Sequence, residues 1–251
     1  MDIVILTASG VGGATIFGAI IGFLFVKSTE KYADTVISFS AGVMLATSVF
    51  NLIIPSVENE SDFAVVITVG GIFCGSVCIS VLDIIINKLI NKKVHSYLCL
   101  YDKKEKMKKI ILFVSAIAIH NLPEGIAAGV GFGTGNTAGA LIIAGSIALQ
   151  NLPEGMIVIS PMLSVGISRA KTFLVAVLTG IIEIAGTLFG YCAVTVSEEI
   201  LPFALSFAGG TMLYVICRDM IPETQSEFRK ESSTYSLISG FCIMLIINNI
   251  L

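Results

Sequence analysis

Two near-copies of one hexapeptide hold the residues best suited to chemistry. His120-Asn121-Leu122-Pro123-Glu124-Gly125 recurs as Gln150-Asn151-Leu152-Pro153-Glu154-Gly155, identical at five of six positions. On a helix His120 and Glu124 stand at i and i+4 and share one face, and Gln150 and Glu154 repeat that spacing. Asn121 and Asn151 sit one position round. Imidazole with carboxylates suits Zn²⁺, Fe²⁺, Mn²⁺ and their relatives, whereas an all-oxygen set would favour Ca²⁺ or Mg²⁺. No thiolate lies in the cluster, which argues against Cu⁺. Pro123 and Pro153 cannot donate to the carbonyls of Ile119 and Leu149, so each helix is expected to kink there and open a backbone oxygen.

The setting makes these residues unusual. The 251-residue chain is 55% hydrophobic, 13% charged and free of Trp. Soluble domains carry about 25% charged residues, so an integral membrane protein is expected. The chain opens on Asp2 without a basic stretch and runs straight into a full span, unlike a cleavable leader. Apolar stretches predict eight spans, at roughly 3–26, 34–56, 63–87, 109–131, 138–162, 171–193, 200–221 and 234–251. His120, Gln150 and Glu183 each fall about 16 Å into their spans, near the bilayer midplane. Ionised carboxylates at Glu124, Glu154 and Glu183 are costly there unless a cavity, partner or metal compensates them. No Lys or Arg is predicted at that depth, so a cation from outside the chain is the simplest compensation. Three carboxylates exceed the need of one divalent ion, and Glu124 or Glu154 bridging two ions would use them. A lone H-x-x-x-E is better explained by helix–helix hydrogen bonding. Two copies in adjacent spans with a third acid favour metal.

The basic residues agree with eight spans. Lys27 and Lys31, the lysines around 88–109, Arg169 with Lys171, and Arg218, Arg229 and Lys230 account for all fifteen Lys and Arg. Every one falls on the same side, opposite Glu58, Glu60, Asp62, Glu198 and Glu199. The positive-inside rule then puts both termini outside and the Lys-rich loop, about 90–108, in the cytoplasm. That loop could also meet anionic lipid, although a solvated topogenic loop explains it equally. A second repeat relates Phe39-Ser40-Ala41-Gly42-Val43-Met44-Leu45 to Phe207-Ala208-Gly209-Gly210-Thr211-Met212-Leu213, in spans of opposite direction. This suggests an inverted repeat of spans one to three in six to eight. Glycines at four-residue spacing (Gly18/Gly22, Gly71/Gly75, Gly125/Gly129/Gly133) point to tight helix packing. The six cysteines include no CxxC pair and are expected to be small packing residues.

These motifs resemble the ZIP (Zrt/Irt-like) divalent metal transporters, most closely a short bacterial-type branch. The resemblance rests on HNLPEG in span four and QNLPEG in span five. Thr179-Gly180-Ile181-Ile182-Glu183 in span six and Asp219-Met220-Ile221-Pro222-Glu223-Thr224 in span seven extend it over essentially the whole chain. It implies an all-α integral membrane protein, with residues 1–251 forming a single transmembrane domain of eight helices in 3+2+3 order. It further implies uptake of a divalent metal, Zn²⁺ first and Cd²⁺, Fe²⁺ or Mn²⁺ as relatives, into the cytoplasm across the cell (inner) membrane. Spans one, four, five and six would slide against the rest. On the matching positions, His120, Glu124, Gln150 and Glu154 imply a first metal position, to which Met44 adds a thioether if it is not plain packing. Asn121, Asn151 and Glu183, with Glu124 and Glu154 as bridges, imply a second. Asn51 and Glu58 imply an outer entrance. The partners implied are metal ions, the lipid bilayer and a second copy in a homodimer, with no nucleic acid and no enzymatic cofactor.

The chain departs from the family in three places. Gln150 stands where His is frequent, so metal there is held by a neutral oxygen. The cytoplasmic loop has His95 alone, with Cys99 four residues on, as its only candidate metal contact. Arg218 precedes Asp219 where relatives carry His, and it is expected to pair with Asp219 or lipid headgroups. Two alternatives remain at this stage: an intramembrane metal-dependent hydrolase, for which no H-E-x-x-H string exists, and a metal-selective channel.

Overall fold

A computed structural model describes residues 2–58, 63–97, 114, 118–132, 135–164, 166–196, 198–224 and 230–250. Among these residues the chain is helical, without strands. The helices are α1 (Asp2–Leu24), α2 (Val26–Ala46), α3 (Ala64–Tyr97), α4 (118–131), α5 (Thr137–Ser164), α6 (Arg169–Val196), α7 (Leu201–Val215) and α8 (Lys230–Ile250). Seven of them, counting α2 and α7 with their continuations, are long and apolar enough to cross a membrane. The fourth expected span, 109–131, lies partly outside the described residues, which record its C-terminal half as α4.

Large apolar side chains such as Phe17, Val66, Phe73, Leu174, Phe189 and Ile246 are exposed on the outside. Polar groups collect inside, among them Thr15, Asn121, Glu124, Gln150, Asn151 and Glu183. Lipid as the outer solvent accounts for that inversion. Cys74, Cys78, Cys192, Cys217 and Cys242 are also exposed. The expectation that they fill the core is therefore corrected. Hydropathy locates a thiol in an apolar span without saying which face it occupies, and hydrocarbon accepts a thiol as readily as a core does.

Two boundaries differ from expectation. Only Phe25 separates α1 from α2, so Lys27 and Lys31 belong to the first turns of α2. α3 runs on to Tyr97, into the expected loop, because no Gly or Pro interrupts it after Gly75.

Helix irregularities also occur where the sequence did not indicate them. α5 is continuous through Pro153 and Pro161, and α4 is helical across Pro123. α2 and α7 instead each widen into a π segment ahead of a proline. After α2 come Thr47–Ile53 and then Ile54–Val57 containing Pro55. After α7 come Ile216–Met220 and then Ile221–Thr224 containing Pro222. The Ile54 amide donates to the Val49 carbonyl and the Ile221 amide to the Ile216 carbonyl, each five residues back. Proline supplies no amide and crowds the carbonyl four residues before it, and a wider turn relieves both.

The helices pack in two groups. α1 lies against α5 and α6, while α2 pairs with α8 and α3 with α7; α2 against α5 joins the groups. Close approaches at glycine occur in matched pairs. Gly18 of α1 abuts the Leu152 carbonyl of α5, and Gly186 of α6 abuts the Leu122 carbonyl of α4. Gly155 of α5 abuts the Thr15 carbonyl, and Gly125 of α4 abuts the Glu183 carbonyl. In the other group, Gly42 of α2 meets the Leu237 carbonyl of α8, and Gly210 of α7 meets the Ile72 carbonyl of α3. A side chain at any of these glycines would overlap the facing backbone, so the spacing of the two helices depends on them.

Candidate metal centre

Side-chain hydrogen bonds link α4, α5, α1 and α6 into a closed ring. Gln150 Nε2 of α5 donates to Glu124 Oε1 of α4 at 2.8 Å. Asn121 Nδ2 of α4 donates to Glu183 Oε1 of α6 at 2.7 Å. Thr15 Oγ1 of α1 lies 2.9 Å from Glu183 Oε2 and 3.1 Å from Oε1. Asn151 Nδ2 of α5 donates to the Val11 carbonyl of α1 at 3.3 Å. Glu124, Gln150, Asn151, Asn121 and Glu183 are fully buried, and Glu154 nearly so.

The ring leaves a particular set of atoms over. Asn121 Oδ1, Glu124 Oε2, Gln150 Oε1, Asn151 Oδ1 and Glu154 Oε1 are buried without a hydrogen-bond partner. All five are oxygens. Each amide directs its NH₂ group to a protein acceptor and keeps its oxygen free. A buried polar atom without a partner costs about 1–3 kcal/mol, and more if it is charged, so a partner for these oxygens is called for. That partner must accept lone pairs, and a divalent cation does so. Among the described residues no three His, Cys, Asp or Glu side chains form an ion-holding group by themselves. A donor set built here would therefore have to include amide oxygens.

His120 makes its contact outside this ring. Its Nε2 lies 3.3 Å from Asp219 Oδ2, in the widened segment after α7. Its i+4 relation to Glu124 holds along the helix, but the imidazole bridges the two helix groups instead. Met44 is buried within the main apolar cluster. Nearby on α2, Ser40 Oγ donates to the Gln150 carbonyl at 3.3 Å. Asn51, in the π segment after α2, lines a cavity of about 170 Å³ with Phe50, Pro55, Asn136, Gly139, Ile142 and Ile143. Glu58 caps the following turn and is exposed. Arg218 contacts Asp219 at 4.0 Å, as expected. It also pairs with Asp83 of α3 at 3.3 Å and donates to the Tyr214 hydroxyl, neither of which the sequence indicated. The His95 side chain and Cys99 lie outside the described residues, as does Gly133.

Sequence reasoning missed Thr15, Asp219 as the partner of His120, and Asp83. Thr15 carried one signal, being a hydroxyl in a glycine-rich apolar helix. Nothing in sequence identified what it faces.

The fold and site thus define a multi-pass helical membrane protein with an oxygen-rich polar centre shared by four helices. Residues 101–248 match the family model described as ZIP Zinc transporter. The chain belongs to that family. It is 38% identical over 143 residues to zinc transporter GufA of Myxococcus xanthus, a match spanning 57% of this chain and 56% of GufA. It is 30% identical to zinc transporter ZIPB of Bordetella bronchiseptica over 95% of this chain and 78% of ZIPB. It is 31% identical to zinc transporter ZupT of Corynebacterium glutamicum over 94% of each.

Proposed function

We propose that this chain is a transporter, not an enzyme, that carries a divalent transition metal into the cytoplasm by alternating access around the buried cluster. Zn²⁺ is the first candidate, in keeping with the names of its relatives, and Cd²⁺, Fe²⁺ and Mn²⁺ are competitors. The observation that carries this reading is the set of five buried oxygens without partners. His120, Glu124, Gln150 and Glu154, with Met44, serve the first metal position. Asn121, Asn151 and Glu183 serve the second, with Glu124 and Glu154 as bridges. Carboxylate and amide oxygens release a borderline ion more readily than thiolates, which suits a carrier. Asn51 and Glu58 mark the outer approach.

The whole chain acts as one transmembrane domain in 3+2+3 order. In support, every matched glycine contact above exchanges α1 with α6, α2 with α7, α3 with α8 and α4 with α5. The π segments after α2 and α7 obey the same exchange. Five crossings separate the members of the first three pairs and one separates α4 from α5, an odd number in each case, so exchanged helices run in opposite directions. The hydrogen-bonded ring supports movement of α1, α4, α5 and α6 as a unit past α2, α3, α7 and α8. The segregation of Lys and Arg supports outside termini and a cytoplasmic Lys-rich loop in the inner membrane. α3 and α8 leave much apolar surface exposed, for lipid or for a second copy in a homodimer.

Uptake of Zn²⁺ by purified protein in liposomes tests the reading. Saturable flux competed by Cd²⁺, Fe²⁺ or Mn²⁺ is expected. Flux linear in concentration would indicate a channel, and peptide hydrolysis without flux would indicate a hydrolase.

A further inference from the structure

We infer that Thr15 of α1 is a positioning residue of the metal centre, fixing the carboxylate of Glu183 so that it presents its oxygens to the second metal position. The inference rests on the proposed assignment of Glu183 as a ligand. Thr15 is buried, and its hydroxyl approaches both Glu183 oxygens, at 2.9 and 3.1 Å. Asn121 holds Oε1 of the same carboxylate at 2.7 Å. Two donors from two different helices therefore fix the torsion of one acid.

The matched packing explains why α1 supplies this donor. Thr15 and Glu183 occupy exchange-related positions: Gly155 closes on the backbone of Thr15, and Gly125 closes on the backbone of Glu183. α1 thus places a hydroxyl where α6 places an acid, and the two side chains meet. Asn121 finds a carboxylate on α6, whereas Asn151 finds only the Val11 carbonyl on α1. The centre gains one carboxylate from this pair of helices, with a donor from α1 holding it in place. Two carboxylates meeting there would repel each other without a further cation.

Groups that orient a metal ligand change affinity by about 10–100-fold when removed. Thr15→Val keeps the shape of the side chain and deletes the donor, and Thr15→Ser keeps the donor. Titration of metal-free protein with Zn²⁺ or Cd²⁺, read by calorimetry and elemental analysis, is the test. Thr15→Val should weaken the second binding event about tenfold and leave the first within twofold, while Thr15→Ser restores the wild-type isotherm. Thr15→Ala removes the donor without branching at Cβ and should repeat the loss if the valine variant does not insert. Wild-type or tighter second-site affinity in the donor-deleted variants would overturn the inference, as would a loss that Thr15→Ser fails to rescue. Glu183→Gln in the same titration separates the two levels. If it loses the second ion while Thr15→Val does not, only the role of Thr15 fails. If Glu183→Gln binds both ions normally, the ligand assignment itself fails.

Discussion

The imidazole of His120 lies against Asp219, with Nε2 3.3 Å from Oδ2. It does not join Gln150 and Glu124, which bond to each other at 2.8 Å. A metal ion held by Nε2 would have to displace Asp219, whereas one held by Nδ1 would leave the contact in place. It also ties α4 to the segment after α7, across the boundary between the two helix groups.

With Nε2 as the ligating nitrogen, Asp219→Ala is a tightening substitution. The pair is partly open to solvent, with side chains 13% and 38% exposed, and such pairs contribute less than about 1 kcal/mol. Zn²⁺ affinity measured by calorimetry should therefore rise by no more than about fivefold. Weaker binding would instead make Asp219 a ligand or the orienting partner of a His120 that ligates through Nδ1.

Gly125 and Gly155 are predicted to be intolerant of any side chain. An added Cβ would overlap the carbonyl oxygens of Glu183 and Thr15, and both neighbours are backbone in helices with no room to shift. Gly125→Ala and Gly155→Ala should lose several kcal/mol, in the range of overpacked cores, seen as loss of folded, detergent-extracted protein in thermal unfolding. Gly145→Ala is the control. Nothing lies within 4 Å of that position, and alanine favours a helix by about 1 kcal/mol over glycine. Its melting temperature should hold or rise.

The apolar spans could be read from sequence because length and hydropathy are local properties, and the twin motifs drew attention to Glu124, Gln150 and Glu154, which are buried. Pairings between spans could not be read in the same way. Nothing local says that Asn121 reaches Glu183 or that His120 turns to Asp219. The prolines were visible, but the helices that widen are those with Pro55 and Pro222, while α4 and α5 continue through Pro123 and Pro153. The faint likeness of 39–45 to 207–213 said nothing of the matched contacts in which a glycine of one helix meets a carbonyl of another.

Glu183→Gln is expected to leave one metal bound where the wild type binds two. The substitution removes a charge and keeps the shape, and the amide can still accept from Thr15 and Asn121. Elemental analysis of protein equilibrated with excess Zn²⁺ and then desalted reads the ratio. An unchanged ratio would remove Glu183 from the site.

The central claim is that the carboxylates of the twin motifs hold the transported ion. Its most direct measurement is Zn²⁺ uptake into liposomes containing Glu124→Ala protein, with insertion verified by extraction and chromatography. Saturable uptake should be abolished in this variant and retained by Glu199→Ala, whose parent side chain is exposed and outside the buried ring. Uptake by correctly inserted Glu124→Ala protein at the wild-type rate would contradict the account.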